Sequence, residues 1–141
     1  AQEKGNIFHL IMSEIYSVKD VNLVLNKYYE LGEISTNKKE KLKEIIYKII
    51  KDKELKEFYN PKYKSFNERE IIEKNGKSFI PDRIVFLNDK DIVLIDYKTG
   101  TKKSKYINQL KGYEDKLYKI GLNTIKKIII YVSDDIKIEC F

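Results

Sequence analysis

Apolar residues recur along this chain with two different periods, and the change from one to the other falls near its middle. Leu42, Ile45, Ile46, Ile49 and Ile50 fall three and four apart, so they share one face of a helix opened by Ser35 or Thr36 with Glu40. Two helices are predicted before it. Asn6 caps one that runs to about residue 16, and a second covers 19–31 and stops at Gly32. A short fourth spans 53–59, ahead of Pro61. Beyond this point the period shortens to that of strands. Residues 65–74 and 78–87 form a hairpin about Asn75-Gly76, and a turn at 88–91 leads into a third strand at 91–99. Tyr106, Leu110, Tyr113 and Leu117 then mark a helix over 105–120, closed by Gly121, and strands follow at 124–133 and 136–141. Helices, three meandering strands, a helix and two more strands make an α+β fold, a central mixed sheet flanked by helices.

The chain has 141 residues, of which 42% are hydrophobic and 35% charged, enough for a single domain with one core, and no linker or repeat divides it. Its apolar runs are too short to span a bilayer, which excludes membrane partnership of that kind. Ala1-Gln2-Glu3-Lys4 leads into no apolar segment, and no Met stands at position 1; a piece cut from a longer bacterial cytoplasmic protein is the expectation. Cys140 and His9 are the only residues of their kinds. Disulfides, an all-cysteine iron–sulfur or zinc site and any multi-histidine centre are thereby excluded. The net charge of +6 is compatible with a nucleic-acid partner. Its placement says more than its size, because Lys98, Lys102, Lys103, Lys105 and Lys111 follow one another with no acid between Lys98 and Tyr113.

Candidate chemistry lies on the middle strands. Asp82 follows Pro81, which interrupts strand pairing there, and Asp96 ends the apolar run Ile92-Val93-Leu94-Ile95. A carboxylate behind such a run is expected to be buried, and burial demands a compensating cation. Lys98, two residues on, projects from the same face. The pair is either a structural salt bridge or part of a site in which two acids share a divalent cation beside an ammonium group. The second arrangement suits phosphodiester hydrolysis. Glu68 and Glu70 are also two apart and share a strand face, and Gln109 and Tyr113 share a helix face.

Pro81-Asp82 … Asp96-Tyr97-Lys98 resembles the signature of the PD-(D/E)XK nuclease superfamily, and the order of elements resembles its αβββαβ core. Gly5-x-x-x-His9, Pro81-Asp82-Arg83, Ile95-Asp96-Tyr97-Lys98-Thr99-Gly100 and Gln109-x-x-x-Tyr113 together are similar to the RecB/AddA-like nuclease domain at the C-terminus of UvrD/RecB-type helicase–nucleases. The resemblance implies a Mg²⁺- or Mn²⁺-dependent deoxyribonuclease, an exonuclease that processes DNA ends in double-strand break repair. By this likeness Asp82, Asp96, His9 and the Tyr97 carbonyl hold one or two ions. Glu68, preferred over Glu70, is the upstream acid, Lys98 stabilises the developing charge, and Gln109 and Tyr113 position the catalytic groups. Arg83, Lys102, Lys103, Lys105 and Lys111 would grip DNA phosphates. The chain has no phosphate-binding Gly-x-x-x-x-Gly-Lys-Ser/Thr motif, so the implied SF1 helicase motor lies elsewhere in the polypeptide or complex, and no iron–sulfur cluster is implied. A catalytically silent DNA-binding or docking module is the competing reading.

Overall fold

In a computed structural model, the backbone is described from Gln2 and the side chains from Ile7, both to Phe141. Four helices, α1 (Gln2–Ser13), α2 (Val21–Glu30), α3 (Thr36–Lys51) and α4 (Ser104–Tyr118), accompany seven strands. These are β1 (Lys64–Asn67), β2 (Ile71–Ile72), β3 (Ser78–Phe79), β4 (Arg83–Phe86), β5 (Asp91–Thr99), β6 (Asn123–Val132) and β7 (Ile136–Cys140). Short 3-10 turns stand at Val18–Asp20 and Lys56–Tyr59, the latter within the expected fourth helix. Ser35 caps α3 as its type suggests, its Oγ accepting the Lys38 N–H at 3.1 Å. The cap expected of Asn6 lies outside the described side chains, and the helical backbone already runs through that position.

Five strands form one mixed sheet in the order β1-β4-β5-β6-β7, while β2 and β3 pair apart as a small hairpin. Only β5 and β6 run parallel, because α4 carries the chain back across the sheet between them. Alternation along β5 divides the core in two. Val93, Ile95 and Tyr97 join the residues of α1, α2 and α3 on one face, among them Ile11, Leu25, Ile46 and Ile49. Ile92 and Leu94 pack with Leu110 and Leu117 of α4 on the other. Asp96 and Lys98 continue that second row beyond its apolar part.

Two long strands foreseen in the sequence are each broken. The chain leaves β1 at Glu68, whose φ of 51° lies in the left-handed region that residues with a Cβ seldom adopt. The partner strand is interrupted about Pro81, which has no N–H to contribute. The two breaks face each other, and Glu68 N–H donates to the Asp82 carbonyl at 3.0 Å. Glu68 and Glu70 therefore do not share a strand face. Among the described residues no helix is long and apolar enough to cross a membrane.

Candidate active site

Strand β5 supplies two side chains, Asp96 and Lys98, on the face covered by α4. Asp96 is only 4% exposed, and Lys98 Nζ stands 3.0 Å from its Oδ2. That contact is an ion pair without hydrogen-bond direction, so Oδ2 stays buried with no aimed donor. Nζ instead donates to Gln109 Oε1 at 2.9 Å, and Gln109 Nε2 donates to the Tyr113 hydroxyl at 3.0 Å. Two helical turns on α4 thus steer one ammonium group. Tyr106, a turn before Gln109, places its ring 4.6 Å from the same Nζ.

Asp82 reaches the site from the break before β4. Its Oδ2 accepts the Tyr97 N–H at 2.9 Å. From α1, His9 Nε2 lies 2.8 Å from the Tyr97 carbonyl and 3.4 Å from Asp82 Oδ2. A carbonyl can only accept, so Nε2 carries the proton in this arrangement. Tyr97 turns its backbone to the site and its ring to the core, where its hydroxyl meets that of Tyr59 at 2.5 Å. Glu68, just past the end of β1, completes the group from an exposed position, and Glu70 is exposed as well. Asp82 stands close enough to Glu68 and Asp96 for its charge to act on both. Burial, reinforced by the charge of Asp82, raises both carboxyls to about 7, although His9 opposes the shift at Glu68 and Lys98 at Asp96. Burial and the charges of Asp96, Asp82 and Glu68 likewise raise the Tyr113 phenol.

His9, Glu68, Asp82, Asp96, Lys98, the Tyr97 carbonyl, Gln109 and Tyr113 are thus brought together from α1, β1, β4, β5 and α4. The lysines are less uniform. Lys103 and Lys105 are exposed at the start of α4. Lys102 is exposed but ion-paired to Glu139 of β7. Lys111, two residues after Gln109, points away from Gln109 round the helix.

Arg83 is not a phosphate contact. It is 1% exposed, and its guanidinium donates to the carbonyls of Ile15, Tyr16 and Phe58 and to Asn67 Oδ1, at 2.8 to 3.3 Å. Asn67 Nδ2 in turn donates to the carbonyls of Met12, Ser13 and Ile15. These two side chains satisfy carbonyls at and just past the end of α1, among them those of Ser13, Ile15 and Tyr16. They fix α1 against the sheet and hold His9 over Asp82. Nothing in the sequence singled out Asn67; its polarity next to the apolar Phe66, one residue before the break at Glu68, was the available sign. Tyr106 reads from the sequence both as part of the helix stripe and as a candidate to stack on bases; its place over the Lys98 ammonium is what the structure adds.

Among the described residues no three His, Cys, Asp or Glu side chains form a ready-closed metal cluster. The donor set nevertheless fits a hard divalent cation, since it consists of carboxylate and carbonyl oxygens with one imidazole. The undonated Oδ2 of Asp96 and the mutual repulsion of Asp82 with Glu68 and Asp96 both ask for positive charge there. Asp82, Asp96, His9 and the Tyr97 carbonyl could hold it, with Glu68 beside them. The chain matches no protein-family model and no curated protein.

Proposed function

We propose that this chain is a nuclease domain of the PD-(D/E)XK type, of RecB/AddA-like kind, that hydrolyses DNA phosphodiester bonds with Mg²⁺ or Mn²⁺. The observation that carries the reading is the meeting of three carboxyls and a histidine with a lysine that is itself held by the Gln109–Tyr113 pair. A structural salt bridge would account for Asp96 and Lys98 alone. It would not account for Asp82, Glu68 and His9 crowding the same point. The succession α1, β1, β4, β5, α4, β6 about a mixed sheet agrees with the αβββαβ core, the hairpin of β2 and β3 being an insertion.

In this reading Asp82, Asp96, His9 and the Tyr97 carbonyl hold the cation. When bound, the cation supplies a Lewis acid for the phosphate and lowers the pKa of water. Lys98 offers its ammonium to the charge that develops on the phosphoryl oxygens, and Gln109, Asp96 and the Tyr106 ring keep it from wandering. Glu68, beside the donor set, can accept the proton that the attacking water gives up. Exonuclease action at DNA ends, with the strand delivered by an SF1 helicase motor, is the role that the sequence resemblance adds.

Digestion of end-labelled linear and circular single-stranded DNA with Mg²⁺, with Mn²⁺ or with EDTA tests the proposal, beside Asp96→Ala. Cation-dependent cleavage that the variant lacks is expected, with the circles spared. Absence of both cleavage and Mn²⁺ binding would leave the docking-module reading.

A further inference from the structure

The small β2–β3 hairpin is tied to the candidate site at both of its ends. Glu68 stands just before β2 and Asp82 just after β3, so the insertion leaves one acid of the site and returns at another. Each of its strands is two residues long, too little pairing to hold a hairpin by itself. Packing holds it instead. Ile71 and Phe79, cross-strand partners on one face, join the apolar cluster of Ile84, Leu110 and Leu117 against α4.

Within that cluster the buried Phe79 ring lies stacked on the ring of Tyr113, with centroids 5.1 Å apart and planes 28° from parallel. One helical turn further on, Lys116 Nζ stands 5.1 Å from the Phe79 ring and 3.7 Å from Glu73 Oε2, which pins the hairpin to α4 a second time. From Tyr113 an unbroken series of contacts leads to the ammonium group. Its hydroxyl accepts from Gln109 Nε2, and Gln109 Oε1 accepts from Lys98 Nζ. An amide accepts only through its oxygen, so with Nε2 committed to Tyr113 the Oε1 end faces Lys98. The Tyr113 hydroxyl sits at the far end of its ring, and a tilt of that ring carries the amide with it. A flat ring stacked on Tyr113 opposes the tilt, whereas an aliphatic side chain of similar volume has no plane to do so.

We propose that Phe79 is a positioning residue of the nuclease: through the Tyr113 ring and the Gln109 amide, the hairpin sets where the Lys98 ammonium stands. The inference rests on the nuclease reading and deepens it, because it makes the insertion part of the apparatus that meets charge on the phosphoryl oxygens. A merely structural Phe79 would support stability alone. A positioning Phe79 moves Lys98 when it is changed.

The test observes the lysine directly and cleavage separately. Lys98 Nζ lies 4.6 Å from the Tyr106 ring, whose ring current shifts the nuclear magnetic resonance signals of the Lys98 ε-methylene. These signals are followed on the whole chain, labelled with ¹³C at lysine, in EDTA, and are assigned by their absence from Lys98→Gln. Phe79→Leu and Phe79→Met keep an apolar side chain in place, and Phe79→Tyr keeps the ring. Leu122→Ala weakens the same apolar cluster past the end of α4, away from the stack. Phe79→Leu and Phe79→Met are expected to move the Lys98 signals towards those of a free lysine. With Mn²⁺ they should lower single-turnover cleavage about tenfold while affinity for single-stranded DNA stays within about twofold. Phe79→Tyr should keep both near wild type, and Leu122→Ala should change neither. In a Gln109→Leu background, where the link is already cut, Phe79→Leu should move the signals no further. Unmoved Lys98 signals in both aliphatic variants, an equal movement in Leu122→Ala, or an undiminished movement in the Gln109→Leu background would overturn the positioning role. The two readings fail separately. Cleavage by the wild type with unmoved signals in the Phe79 variants removes the positioning role alone, whereas the expected movements in a protein that never cuts DNA remove the nuclease.

Discussion

Asp96 carries two burdens that can be separated by experiment. It is a proposed cation ligand, and it is also a buried carboxyl forced against Asp82. In the folded chain Glu68 and Asp96 titrate near 7, above their usual values of 4.5 and 3.8, so the folded state binds protons that the unfolded state has released. The stability they contribute is fully present below those unfolded values and is lost as the pH rises through about 7. In EDTA the melting temperature should therefore fall between pH 5 and pH 8. Asp96→Asn should flatten that fall and raise the melting temperature at pH 8, even as it abolishes cleavage. A steeper fall in the variant would show that the acids do not strain the folded chain. Lys98 separates differently. Its alanine variant is expected to lose about 10²–10³-fold in turnover with little change in DNA affinity, because its charge opposes one that appears only in the transition state. Single-turnover rates beside binding isotherms distinguish the two, and a lost affinity with normal turnover would contradict the role.

At the scale of elements the site depends on a clamp remote from the chemistry. Arg83 and Asn67 hold the end of α1, and α1 carries His9. Arg83→Ala would take the side-chain donor from the Tyr16 and Phe58 carbonyls and from Asn67 Oδ1, at a cost of roughly 3 kcal/mol in urea unfolding. Arg83→Lys should restore little, because one ammonium cannot span acceptors on both sides of a planar fork. The clamp also shows where the sequence could be read and where it could not. Helix α3, the strand through Ile92-Val93-Leu94-Ile95 and the helix after Lys98 were legible, since each has an uninterrupted period and a cap or a glycine at its end. Asp82, Asp96, Lys98, Gln109 and Tyr113 were legible through spacing and resemblance. Arg83 was misread, because a charged residue beside an acid looks like surface, and only the tertiary packing shows the ring of carbonyls that receives it. The long strands were misread because nothing local announces a left-handed glutamate at position 68.

For the whole molecule, the proposed cation site would make acids and cation a single thermodynamic unit. Mg²⁺ or Mn²⁺ should raise the melting temperature by competing with protons for the carboxyls, and so by more at pH 8 than at pH 6. EDTA should reverse the effect, and Asp82→Asn should remove it. A shift of equal size at both pH values would place the cation elsewhere on the surface.

The parallel pairing of β5 with β6 has a kinetic consequence. The helical half of the chain can condense from neighbours in sequence, whereas β5 must wait for α4 to cross before it gains its second partner. The site has a long closure of its own, since His9 and Tyr97 lie 88 residues apart, and it is complete only once α1 has docked on β5. During refolding from urea, the far-ultraviolet helical signal should therefore recover first. Quenching by bound Mn²⁺ of a fluorophore placed on Cys140 should follow as a later phase. In this protein the metal would report not that the chain has collapsed, but that α1 has docked against the sheet.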